Sequence, residues 1–204
     1  MEKGEALELF LKREVKQASE NFVFNSMKYL QKETAPIRKK EFVQNFQNIL
    51  GRCLKEPQKI RFLQIALVRS RALSGKPFYL LEAFQEDFYL SEPMAAMDLE
   101  LWWLYQEYGR FCEEIDRQSR RYVLCFDEII LNRIKLAELA NCKRIVQYLF
   151  EETITSIMST EEYLQLNPEE GFQIQIGEYR GPYEFLYEAN PYIEKLGRWW
   201  NGIS

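Results

Sequence analysis

Apolar side chains return every third or fourth position over most of this chain, the spacing that gives a helix one oily face. Little interrupts it: only 9 Gly and 7 Pro punctuate 204 residues. Aromatic residues reach 15% of the chain, with 14 Phe, 12 Tyr and 4 Trp, and each contributes a large area to a buried core. With 47% hydrophobic and 28% charged residues, the composition is that of a folded globular protein and not of a disordered tract. One domain over 1–204 is expected, because no repeat, low-complexity tract or evident linker divides the chain.

The first stripe runs from Gly4 to Gln31 through Leu7, Leu11, Val15, Ala18, Phe22 and Tyr29, with Lys12, Arg13, Lys16 and Glu20 on the opposite surface. Pro36 with Arg38, Lys39 and Lys40 reads as a connection. Phe42, Phe46, Ile49, Leu50 and Cys53 then predict a second helix, ended by Pro57. Lys59 to Ser74 continues the helical spacing through Phe62, Leu63, Ala66 and Leu73, and Gly75 and Pro77 supply a stop. From Phe78 to Leu90 aromatic and aliphatic residues flank a polar Gln85, Glu86, Asp87 centre, which predicts a β-hairpin. A long helix is expected from Ala95 to Tyr122, burying Leu101, Leu104, Tyr108, Phe111, Ile115 and Tyr122. The stretch from Phe126 to Met158 carries two apolar stripes, one through Ile130, Ile134, Ala137 and Ile145 and one through Leu131, Leu139, Val146 and Phe150. A helix apolar on several sides belongs at the centre of a domain.

Ser159 and Glu162 have capping-box spacing before a short helix to Leu166. Phe172, Ile174 and Ile176 alternate with Gln173 and Gln175, and Tyr183, Phe185 and Tyr187 alternate with Glu184, Leu186 and Glu188. The Gly177 to Gly181 turn between them predicts a second hairpin. Asn190 and Pro191 open a last helical segment that ends at Trp199 and Trp200. The expected fold class is α+β, predominantly α. About six helices surround a central long helix, with a small antiparallel sheet made from hairpins near 78–90 and 172–188.

The chain contains no histidine, which excludes every mechanism that needs an imidazole as base, proton shuttle or metal ligand. Cys53, Cys112, Cys125 and Cys142 are widely spaced, with no C-x-x-C pair. They read as reduced packing residues of a cytoplasmic protein and not as a zinc site or an activated nucleophile. Neither an export signal nor a membrane span is expected, since no apolar run approaches about 18 residues. Carboxylates at three-residue spacing, Glu2/Glu5/Glu8 and Glu113/Asp116, are the spacing used by helical bundles that hold Mg²⁺ through oxygen ligands alone. Neither group has a second one to face it, and no metal or cofactor is expected. Glycine-rich phosphate loops and nucleophile elbows are missing.

Net charge is −4 with a sequence pI near 5.2, against a general affinity for polyanions. The balance is uneven: residues 1–40 carry 9 basic and 6 acidic side chains, and residues 151–204 carry 3 and 10. Arg110, Arg117, Arg120 and Arg121 cluster on one predicted helix and form a candidate anion or nucleic-acid site. Helix-surface ion pairs of Arg117 with Glu113, Arg120 with Asp116 and Arg110 with Glu114 would neutralise it. Arg69, Arg71 and Lys76 form a smaller cluster that suits a helix C-terminus.

Two pairs of indoles remain. Trp102 and Trp103 point about 100° apart on a helix, so both are buried only if that helix has neighbours on two sides. Trp199 and Trp200, with Tyr192 nearby, form a candidate interface, because indoles close to a terminus need a surface to dock on. The expected function is a non-enzymatic, cytoplasmic protein-interaction or structural module, as a homodimer or with a protein partner. A nucleic-acid-associated regulator using the arginine face and a small-molecule or carboxylate-metal binding protein are the alternatives.

Overall fold

The computed structural model describes residues 3–31, 33–56, 59–76, 78–85, 92–122, 126–166, 168 and 171–189. It is an α+β fold, predominantly helical, built around one five-stranded sheet.

The expected N-terminal helix forms as α1 (Lys3–Phe10), a π-helical turn (Leu11–Val15) and α2 (Lys16–Gln31). The wide turn rotates the buried face. Ala6 and Phe10 are buried before it and Ala18, Phe22, Ser26 and Leu30 after it, while Leu11, placed in the stripe by its spacing, is 41% exposed. Helix α3 (Ala35–Cys53) begins earlier than expected. Pro36 sits in its first turn, where a missing N–H costs nothing, so Arg38, Lys39 and Lys40 are helical and not a connection. The five residues Phe42, Phe46, Ile49, Leu50 and Cys53 are all buried.

The helix expected over Lys59 to Ser74 is a strand for most of its length. Strand β1 spans Phe62–Leu67 and only Arg69–Leu73 is helical, as the short α4. A central strand buried on both faces reads as a near-continuous apolar run without period-2 alternation, and Phe-Leu-Gln-Ile-Ala-Leu was open to a helical reading for that reason. β1 pairs antiparallel with β2 (Tyr79–Phe84) and parallel with β4 (Gln173–Glu178). The sheet is therefore mixed and not antiparallel. Its order is β3-β2-β1-β4-β5.

β2 covers the first half of the expected 78–90 hairpin, but its second partner is β3 (Ala95–Asp98); residues 86–91 lie outside the described ones. Ala95–Asp98 was expected to be helical, and it is held as a strand by its pairing with β2 against its weak β propensity. Helix α5 accordingly starts at Trp102 and runs to Ser119. β4 and β5 (Tyr183–Glu188) pair antiparallel across a turn in which Arg180 takes a positive φ of 57°.

The expected central helix from Phe126 to Met158 is broken into α6 (Glu128–Ala137), α7 (Leu139–Glu151) and α8 (Ile154–Met158). Asp127 caps α6, its carboxylate accepting from the Ile130 N–H at 2.9 Å. None of the residues of α6 is fully buried, whereas α7 buries Leu139, Cys142, Ile145, Val146, Leu149 and Phe150. Each apolar stripe is thus divided between two helices, and of the two α7 is the buried one. At the end of α7, Thr153 Oγ1 donates to the Leu149 carbonyl at 2.7 Å, a side-chain bond that competes with continuation of the helix. Helix α9 (Glu161–Leu166) follows. Its cap is Thr160, whose Oγ1 accepts from the Tyr163 N–H at 3.3 Å, and not Ser159, which donates to the Thr155 carbonyl.

α3 packs on β2 and β3, and α7 on β4 and β5. One sheet face joins the main core through Leu63, Ile65, Leu81, Ala83, Ile174 and Ile176. The other face carries a polar row across the three inner strands. Gln64 lies opposite both Glu82 and Gln175, all three are buried, and Gln64 Nε2 donates to Gln175 Oε1 at 3.3 Å. Burial pushes the Glu82 carboxyl above its ordinary range, against weaker downward pulls from Arg180 and Arg71. The folded state therefore binds that proton more tightly than the unfolded chain does. Its stabilisation is complete below about pH 4 and is lost as pH rises through the raised folded value. Glu82→Gln is expected to raise the Tm at pH 8, with the gain shrinking towards zero near pH 4, as thermal melts across that range would show.

Candidate interaction site

Helices α2 and α3 form a hairpin, and the first two turns of α5 lie against it. Tyr29, near the end of α2, is the post around which they meet. Its ring is 5.5 Å from that of Trp103, and the Arg38 guanidinium sits 5.8 Å from its centroid. Its hydroxyl reaches towards Glu107 Oε1 at 3.4 Å. An opening lies on each side of this post.

On the α3 side is a groove of about 480 Å³ between α3 and the start of α5. Of the two adjacent indoles, Trp103 is buried beneath it while Trp102 is 56% exposed at its mouth, set edge-to-face on Tyr105 at 5.9 Å. Ile37 lines the same groove and is also 56% exposed. Asn45 fixes the geometry: its Nδ2 donates to the Glu41 carbonyl at 2.8 Å, and its Oδ1 accepts from the Glu100 N–H at 3.1 Å. α3 is thereby tied to the residues that lead into α5. Arg38 and Glu41 form an ion pair at 2.8 Å on the rim, near Lys40 and Glu100. Gln44 and Asn48 add a row of side-chain amides one helical turn apart, joined at 3.1 Å.

On the α2 side is a cleft of about 300 Å³ lined by Asn25, Lys28, Tyr29, Thr34, Glu107 and Arg110. Glu107 is 3% exposed and accepts from Arg110 NH1 at 2.5 Å. The Lys28 ammonium stands 4.0 Å over the Phe24 ring.

Of the four arginines singled out by sequence, Arg110 lines the α2/α5 cleft, and it pairs with Glu107 rather than Glu114. Arg117 makes a two-point contact with Glu114, at 2.8 and 2.5 Å, and not with Glu113. Asp116 is taken by Lys135 of α6 at 2.7 Å and not by Arg120. Arg120 and Arg121 are exposed and form no ion pair among the described residues. In the smaller cluster, Arg69 pairs with Glu178 and Arg71 with Asp98. Tyr192, Trp199 and Trp200 lie outside the described residues.

Other chemistry is muted. Burial pushes the Cys53 and Cys112 thiols up to about 11 and the Cys142 thiol well above its ordinary value, so all three stay protonated at neutral pH and withhold the thiolate a nucleophile needs. Burial also raises Glu138, although Ser19 and Asn141 donate to it at 3.0 and 2.9 Å. Among the described residues no cluster of acidic or thiol groups is arranged to hold a metal ion, and no helix is long and apolar enough to cross a membrane.

The spacing argument reached Trp102 and Trp103 but did not settle which of the two faces outward; Ile37, Lys28, Asn45 and Glu107 gave no sequence signal. Comparison with known proteins found no matching family, no matching characterised protein and no matching solved structure.

Proposed function

We propose that this chain is a non-enzymatic protein-interaction module that seats a short segment of a partner in the groove between α3 and α5. The observation that carries the reading is that Trp102 and Ile37, both exposed, line one groove with a charged and amide-bearing rim. An exposed aromatic anchor and an apolar one in a groove whose rim carries Arg38, Lys40, Glu41, Glu100 and amide groups have the apolar centre and polar rim of an interaction hot spot. The rigidity beneath it, from buried Trp103 and the Asn45 ties, supports a preformed site. Free thiols at Cys53, Cys112 and Cys142 favour a reducing compartment such as the cytoplasm.

The test is selection of random dodecapeptides against the immobilised full chain, with sedimentation velocity run in parallel. Peptides that bind are expected to lose about 30-fold in affinity on Trp102→Ala, which is the loss of a typical hot-spot anchor, and less on Ile37→Ala, with melting temperatures unchanged. Self-association abolished by Trp102→Ala would make the partner a second copy of the chain. Peptides whose binding ignores both substitutions would overturn the assignment of the groove, and failure to select any peptide together with a monomer at all concentrations would overturn the reading.

A further inference from the structure

We infer that the α2/α5 cleft, on the far side of Tyr29 from the groove, is an anion subsite, so that the bound segment carries a carboxylate or phosphate side chain beside its apolar anchor. The pairing of the two subsites rests on the interaction reading above; the anion subsite stands on its own geometry.

Glu107 is a carboxylate only 3% exposed, which must be paired to be tolerated, and its partner Arg110 is 66% exposed. A buried anion therefore anchors a guanidinium whose outer part faces solvent at the cleft. Of the Arg110 guanidinium nitrogens only NH1 donates to Glu107, and among the described residues its other N–H groups form no hydrogen bond. A planar fork held in this way is suited to a second, two-point contact with a carboxylate or phosphate. Lys28 brings a second cation to the same cleft. It rests on the Phe24 ring and has no carboxylate within ion-pair distance among the described residues. Asn25 and Thr34 complete the polar lining. Two cations thus face one carboxylate already engaged, in a chain whose net charge is −4. That local surplus of positive charge, bounded on one side by an aromatic wall, selects an anion over a cation or a neutral group.

The test is an NMR titration of the isotopically labelled full chain with N-acetylglutamate, N-acetylphosphoserine and, as the neutral control, N-acetylglutamine. Both anions are expected to shift the Asn25, Lys28 and Arg110 resonances, phosphoserine at lower concentration, and N-acetylglutamine to leave them in place. Lys28→Gln, which leaves the Glu107–Arg110 pair intact, should weaken either anion several-fold without moving the melting temperature. Arg110→Gln with Lys28→Gln should weaken them at least 10-fold and also lower the melting temperature, because buried Glu107 loses its partner, and raised salt should weaken both anions. Equal shifts from N-acetylglutamine, no shift from either anion, or an unchanged response in the double variant would overturn the subsite. Trp102→Ala leaves this titration untouched, so failure of the groove and failure of the anion subsite are read separately.

Discussion

Gly177→Ala is expected to cost about 3 kcal/mol, at the upper end of overpacking penalties, and to lower the Tm by roughly 6–12 °C for a chain of this size. A Cβ at Gly177 would lie 2.3 Å from the Pro182 carbonyl oxygen and 2.8 Å from Tyr183 Cα. Both are backbone atoms of the turn that returns β5 alongside β4, so no flexible side chain can swing aside. The strand must separate from its neighbour or the turn must reopen, and either move breaks the ladder between Gly177 and Tyr183. Gly109, inside α5, provides the contrast, since a Cβ there meets nothing within 4 Å. Gly109→Ala should gain up to about 1 kcal/mol through helix propensity alone. Thermal melts of the pair would measure the difference, and equal effects would show that the β4–β5 turn is not closed as described.

Phe46→Ala is expected to cost about 3–5 kcal/mol, roughly 6–20 °C in Tm. Phe46 is fully buried and its ring lies 5.1 Å from Phe42 within α3 and 6.0 Å from Phe150 of α7. These two helices cover the sheet at opposite ends, α3 over β2 and β3 and α7 over β4 and β5. The ring is therefore a contact between the helices and not only filling for one of them. Phe46→Leu keeps most of the volume and should retain more than half of the lost stability. Chemical denaturation of the three proteins would test this, and a loss below about 1 kcal/mol for alanine would place the ring outside the tight core.

The helices that pack by one face were legible, because burial on a single side imposes a period the sequence must keep. α3 shows this residue by residue, from Phe42 to Cys53. Where burial is two-sided the period vanishes, so Phe62–Leu67 gave no sign that it is a strand. Ala95–Asp98 was unreadable for a different reason: its structure comes from hydrogen bonds to β2, which lies outside the local window. The π-helical turn at Leu11–Val15 and the break at Glu138 show a third limit. In both, apolar residues continue without Pro or Gly, and only the direction in which they face changes. The site was partly legible. Adjacent indoles at 102 and 103 could both be buried only with neighbours on two sides of their helix, which left open that one is exposed, and Arg110 was marked by its charge. Ile37, Lys28 and Asn45 matter through what α2, α3 and α5 bring near them, and a linear pattern holds no trace of that meeting.

The parallel pairing of β1 with β4 sets a condition on how the protein is made. Gln64 and Gln175, neighbours in the sheet, are 111 positions apart in the chain, so the innermost ladder cannot zip until nearly all of the intervening polypeptide has left the ribosome. During synthesis β1 and β2 can form a two-stranded ribbon, but one flank of β1, among the most apolar segments of the nascent chain, stays uncovered until β4 emerges. At translation rates of about 5–20 residues per second that interval lasts several seconds, long enough for chaperones that bind extended apolar segments to engage it. Pairings of such long separation raise the contact order above that of a purely helical chain and slow folding accordingly.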